Sequence, residues 1–367
     1  MKERLIYTAA SNFESARSLP QLPDTHRSGR LHGHSFLAKV AAVLPQGWSS
    51  FPGDEVDALR KQLQAAISSL DYNMLNHEIP NPNNENISRW LSERIGIDGL
   101  VSIGVEIGGQ EGFDLLDVES ASLWRRYRFE SAHQLPNVPE GHKCGRMHGH
   151  GFQVILHMKR RSDPSLHLTG MEDYDELDRL WGPIQKELDH VCLNDISGLE
   201  NPTSELLSSW IWAIIKPTLP SLSWVTVYET DSCGAHFDGQ HYRIWKEMSF
   251  DSAVQLKQAP EGDMRRRIHG HTYTIRLHLQ APLDKVMGWT CDFGDVKALF
   301  EPVFKSLDHR PLYETPGVAD ADAASLALWT RGQVGSLLPE MDRIDLFETY
   351  GCGVSLRWGS DGPVMPA

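Results

Sequence analysis

The stretch CGRMHGH, residues 144–150, sets a cysteine four residues ahead of an H-G-H pair. The same H-G-H returns in SGRLHGH (28–34) and RRRIHGH (265–271), both times without the cysteine. Three further landmarks keep the same order. FESARSL (13–19) recurs as FESAHQL (129–135) and FDSAVQL (250–256). LDYNMLN (70–76) recurs as LDHVCLN (188–194) and LDHRPLY (307–313). An apolar run ending in glutamate recurs as VSIGVEIG, WVTVYETD and RIDLFETY, which sets Glu106, Glu229 and Glu348 in register. The offsets stay between 116 and 123 residues. That period is the size of a domain, not of a solenoid unit.

Each copy reads as two strands, two helices and two strands. The H-G-H opens a strand of alternating polarity, as in HGHGFQVILHM. Amphipathic helical stretches such as YDELDRLWGPIQKEL follow. The expected domains are 1–122, 123–246 and 247–367. At the joins, SASLWRRYRFESAH and HYRIWKEMSFDSA read as the last strand of one copy running into the first of the next. No Gly/Ser linker intervenes, so the copies are expected side by side.

Composition narrows the function. A net charge of −14 argues against a general binder of nucleic-acid backbone. The five cysteines are scattered, odd in number and without a C-x-x-C. Free thiols in a reducing compartment are expected, hence a cytoplasmic protein. No apolar run approaches membrane-spanning length.

The second copy carries the chemistry. His148 and His150 share one face of a strand, and a neighbouring strand can add His133. Three imidazoles with an open position make a catalytic zinc arrangement, where an H-x-H pair alone is more often a hydrogen-bonded surface pair. Cys144 can act as a base or be an inert buried thiol. Asp189–His190 is a carboxylate–imidazole pair or a helix-end cap. Glu229 can take two parallel hydrogen bonds from a guanidine-like edge or simply end a strand.

FESAH, CGRMHGH, LDHVCLN, NPTSE (201–205) and YET (228–230) together resemble the 6-pyruvoyltetrahydropterin synthase / 6-carboxytetrahydropterin synthase family. The cysteine spacing is similar to the carboxytetrahydropterin branch. The resemblance implies an α+β protein of three tandem tunnelling-fold domains. Their antiparallel sheets would join into a pseudo-trimeric barrel with helices outside. It implies one Zn2+ per chain on His133, His148 and His150, with Cys144 as base. Glu229, with Thr203, Ser204 and Glu205 nearby, would hold the pterin. It implies conversion of 7,8-dihydroneopterin triphosphate to 6-carboxytetrahydropterin with loss of acetaldehyde and triphosphate, on the way to queuosine. A pyruvoyl-type or side-chain-cleaving activity, or a non-catalytic pterin-binding or scaffold protein, is the alternative. A homodimer forming a pseudo-hexamer is expected, with a monomer as the alternative.

Copies 1 and 3 lack the set. Arg17 and Val254 stand where His133 does, and Ser28 and Arg265 where Cys144 does. Copy 3 keeps Asp308–His309, and in this family the Asp–His pair can come from a neighbouring subunit. Asp308–His309 is therefore expected to complete the Cys144 site, against Asp189–His190 as the rival. Copy 3 also keeps CDFGDV (291–296) where copy 2 has MEDYDEL (171–177), which favours shared use of the two copies. Arg146, Lys159 and Arg265–Arg267 are candidates for triphosphate.

Overall fold

A computed structural model describes residues 2–23, 25–117, 120–161, 171–318 and 320–366. Repeat 1 contains β1 (Arg4–Arg17), β2 (His32–Ala42), α1 (Glu55–Ile67), a two-residue β3 (Asn73–Met74), α2 (Asn84–Ile95), β4 (Leu100–Ile107) and β5 (Glu111–Leu115). Repeat 2 contains β6 (Ser120–His133), β7 (His148–Arg161), α3 (Met171–Leu188), α4 (Ser204–Ile215), β8 (Leu222–Thr230) and β9 (Cys233–Phe237). Repeat 3 contains β10 (Tyr242–Val254), β11 (His269–Gln280), α5 (Phe293–Leu307), α6 (Ala323–Val334), β12 (Met341–Thr349) and β13 (Cys352–Arg357).

Apart from β3, which runs parallel to β1, neighbouring strands are antiparallel, and β13 pairs with β1 to close the ring. Closure leaves the twelve long strands without a free edge. The joins differ in detail from the sequence expectation. Segment 120–133 is one unbroken strand: its first half pairs with β5 and its whole length with β7. The last strand of repeat 1 is thus β5, and β10 makes the same join between β9 and β11.

Alternation along each strand splits its side chains between two faces. On β7, Phe152, Val154 and Leu156 join a continuous core with the helices. Ile155 faces the other way, in a separate cluster with Trp124, Tyr228, Trp245 and Met365 inside the barrel.

The recurring phrases prove to be structural ties. Ser15, Ser131 and Ser252 of F-E/D-S-A donate to the carbonyls of Leu70, Leu188 and Leu307. The aspartate of the LD phrase accepts the backbone N–H of Glu14, Glu130 or Asp251. The next residue returns its own N–H to the same residue's carbonyl. That next residue, Tyr72, His190 or His309, sits at φ of 50–58° in the left-handed region, a costly place for a side chain. The first H-G-H histidine sets Nδ1 2.6–2.8 Å from the carbonyl two residues before it, in every repeat. This bond, at the turn into the strand, gives H-G-H a role that needs no metal.

Candidate metal centre

Strand pairing opposes His133 to His148, and His150 follows two residues on. His133 Nδ1 lies 3.1 Å from the Pro202 carbonyl, and His148 Nδ1 2.7 Å from that of Arg146. With Nδ1 so engaged, each ring has Nε2 as its remaining donor atom, fixed in tautomer and direction. The Nε2 atoms of His133 and His150 are buried with no hydrogen-bond partner. One ligand atom from each of His133, His148, His150 and Glu229 lies within 4.8 Å of all the others. Burial holds His133 down to about 4 and lowers His150, so both rings are neutral at pH 7. Orphaned, neutral, converging nitrogens plus a carboxylate fit a zinc ion.

Glu229 arrives by a device that the sequence does not announce. Tyr228 pairs with Gly234 and Thr230 with Cys233, so Glu229 is the extra residue of a β-bulge. Glu348 lies in the same bulge of repeat 3, between Phe347 and Thr349. Repeat 1 has no bulge: Glu106 pairs with Gly112 and Ile107 with Glu111. Moreover, Glu106 opposes Leu37, the counterpart of Gln153, which Tyr228 opposes. Glu106 is therefore the partner in register of Tyr228, and Ile107 that of Glu229. The expected equivalence of Glu106 is off by one residue, which turns its side chain to the opposite face. There it is buried 3.1 Å from Lys39.

The Cys144 thiol is half-buried, and burial with the nearby Glu229 and Asp292 carboxylates raises its pKa. Burial likewise raises Glu229, whose Oε1 is 3.6 Å from His150 Nε2. Thr203 and Glu205, expected at the substrate, both bond to repeat 3. Thr203 caps α4 and donates to the Gly288 carbonyl at 2.5 Å. Glu205 is buried and accepts both the N–H and the hydroxyl of Thr290, at 2.8 and 3.1 Å. Burial lifts it to about 7. Both residues bolt repeat 2 to repeat 3. Ser204 is the member of NPTSE close enough to Glu229 to act on its carboxyl, lowering its pKa against the larger rise from burial.

Repeat 3 reaches this site through the loop before α5. Asp292 lies 3.4 Å from His142, and Trp289 packs on the same ring. Asp292 comes from CDFGDV, so the closer motif in repeat 3 does face repeat 2; Trp289 and Thr290 had no local signal. Asp308–His309 does not join them. It follows the last turn of α5, and sixteen residue steps at ~1.5 Å each put Asp308 about 24 Å from Asp292. His309 lines a cleft with His269 and His271 instead. Asp189–His190 hangs from Glu130, its imidazole 3.0 Å from its own aspartate and 77% exposed. Neither pair is brought to Cys144 within one chain.

The residues standing for His133 in repeat 1 and for Cys144 in repeat 3 are bound up in other contacts. Arg17 is buried and donates to Pro82 O and Asn84 Oδ1, both at 2.9 Å, where His133 meets Pro202 O. Arg265 reaches Asp54 at 2.6 Å and Asp57 at 2.8 Å on repeat 1, and also Asp263. It is an inter-repeat clamp, not a free phosphate ligand.

Fold and site together define a closed tunnelling-type barrel with, among the described residues, one three-histidine centre. The family model for 6-pyruvoyl tetrahydropterin synthase matches residues 6–99, 122–240 and 243–358, and the chain belongs to that family, three times over. It is 38% identical over 122 residues to 6-carboxy-5,6,7,8-tetrahydropterin synthase of Synechocystis sp., covering 31% of this chain and 91% of that one. It is 30% identical over 121 residues to dihydroneopterin monophosphate aldolase of Pyrococcus furiosus, covering 32% and 97%. The solved 6-pyruvoyl tetrahydropterin synthase of Caenorhabditis elegans is 19% identical, covering 32% and 95%, with a TM-score of 0.29. Among the described residues no helix is long and apolar enough to cross a membrane.

Proposed function

We propose that the chain is a zinc-dependent pterin lyase with one working site, in repeat 2, that converts 7,8-dihydroneopterin triphosphate to 6-carboxytetrahydropterin, acetaldehyde and triphosphate, a step towards queuosine. The convergence of His133, His148, His150 and Glu229 carries this reading. Zinc held by the three imidazoles supplies Lewis-acid polarisation of the substrate's side-chain hydroxyls. Cys144 is the proton acceptor beside them in its thiolate form; burial, with the Glu229 and Asp292 carboxylates nearby, raises its pKa, and the positive charge of a zinc ion held by the histidines would offset that rise. Glu229, joined by Ser204, takes the guanidine-like edge of the pterin.

A face-to-face homodimer is part of the proposal. Leu31, Met147 and Ile268, each just ahead of an H-G-H, are 66%, 52% and 64% exposed. A second chain on that ring of apolar side chains would meet the exposed His190 and His309. The similarity to an aldolase supports a second reading, cleavage of the side chain between its first two carbons. The test is incubation of zinc-loaded protein with 7,8-dihydroneopterin triphosphate and identification of the products. Acetaldehyde with free triphosphate supports the first reading. A two-carbon aldehyde still bearing phosphate supports the second. No turnover of either 7,8-dihydroneopterin triphosphate or its monophosphate by protein of full zinc content contradicts both.

A further inference from the structure

The far mouth of the barrel holds a second built site. Lys159 lies eleven residues along β7 from His148, about 36 Å at ~3.3 Å per residue. It lines a cavity of about 590 Å3 closed on one side by residues 361–366. Six cations line that cavity: Arg4, Lys39, Lys159, Arg276, Arg343 and Arg357. Only three carboxylates do so, Asp114, Asp345 and Asp361, in a chain whose net charge is −14. Three of the cations have partners in the barrel wall: Arg343 grips Asp345 through two nitrogens, Lys39 pairs with Glu106 and Asp114, and Arg276 pairs with Glu247. Arg4 and Arg357 share one carboxylate, that of Asp361, at 2.6 and 3.3 Å. Lys159 has no ion pair among the described residues.

Asp361 does not belong to the wall. It is carried by the stretch after β13, which Arg243 clasps through the carbonyl and hydroxyl of Ser360 at 2.9 and 2.8 Å. The same stretch lays Met365 against Trp124, Tyr228 and Trp245 in the lumen. Its carboxylate thus occupies the cationic mouth as an anionic ligand would. Asp361 is 58% exposed and Arg357 only 17%, so the anion lies on the open side and the cation beneath it.

We propose that this mouth binds a condensed-phosphate chain through Arg4, Arg357 and Lys159, with Asp361 as a built-in competitor. Several guanidinium and ammonium groups facing one cavity suit a polyanion better than a single carboxylate. The chain could be free or still attached to a nucleoside, and the two sources differ in whether the attached group is tolerated. Calorimetric titration of the full chain with inorganic tripolyphosphate, then with ATP, tests this. Asp361→Asn is expected to bind tripolyphosphate at least tenfold more tightly than the unaltered chain. Adding Arg357→Gln to it should reverse the gain, and so should adding the exposed Arg4→Gln if Arg357→Gln unfolds. Binding of ATP with similar affinity points to an attached chain, and its exclusion to the free one. A folded Asp361→Asn chain that binds no more tightly overturns the proposal. So does binding that survives loss of both arginines, since it would then lie elsewhere, such as beside Lys143 and Arg146.

Discussion

Arg17→His should give repeat 1 a metal site. Arg17 is buried on Phe36, its guanidinium 5.2 Å from the ring centre, as His133 lies 5.3 Å from Phe152. An imidazole at position 17 inherits the Pro82 carbonyl, as His133 uses Pro202. His32 already presents a buried Nε2 without a partner. Burial and the Arg17 charge hold His34 down to about 4, so the exchange removes a repulsive cation from beside it. The substitution gives up one charge-assisted bond, to Asn84 Oδ1. Such a bond contributes about 1.5–3 kcal/mol, so the metal-free variant should be about 2 kcal/mol less stable. Zinc at a thousand times its dissociation constant returns ~4 kcal/mol. Elemental analysis should rise from one zinc per chain to two, and added zinc should raise Tm further than in the unaltered chain. Turnover should not rise, because repeat 1 has Ser28 for the cysteine and Ile107 for the bulge glutamate. A well-folded variant with unchanged zinc content would refute the claim that Arg17 is what empties repeat 1.

Other expectations follow from the same geometry. Burial, with Asp57 and Asp322 nearby, lifts Glu348 to about 8 from an ordinary 4.5. A carboxyl raised on folding stabilises the protein below its unfolded pKa, and that stability is lost as pH rises through the folded pKa. Glu348→Gln should therefore leave stability nearly unchanged near pH 4.5 and raise it at pH 9, by up to about 5 kcal/mol in denaturant unfolding and with a higher Tm. Thr290→Val removes a hydroxyl from buried Glu205 and should cost about 1–2 kcal/mol in denaturant unfolding with zinc content intact. Arg265→Ala breaks the clamp to Asp54 and Asp57 and should lower Tm more at low salt than at high salt, with activity retained. In kinetic assays His190→Ala should cost more than tenfold in kcat if repeat 2 supplies the Asp–His pair to a partner chain, whereas His309→Ala should not.

Much of the fold was legible because its signals are repeated and local. Strand alternation, the LD phrase and H-G-H each recur at domain spacing, and three copies without linkers imply side-by-side sheets. The three histidines were legible for the same reason: one strand face and one strand pair bring them together. The register of Glu106 was not. VSIGVEIG and WVTVYETD align by eye on their glutamates, but only the second carries a bulge, and no residue type marks it. The roles of Thr203 and Glu205 were hidden too, since their partners Gly288 and Thr290 lie 85 residues away in another repeat. Tyr72, in the same left-handed position as His190 and His309, shows that the LD-x turn outlives the histidine. Keeping an Asp–His pair is therefore weaker evidence of chemistry than its spelling suggests.

The most direct test of the account is zinc content per purified chain, measured with His148→Ala alongside. One zinc in the unaltered chain and none in the variant is the result expected of a single competent centre in repeat 2. No zinc after reconstitution, or close to three, would contradict it.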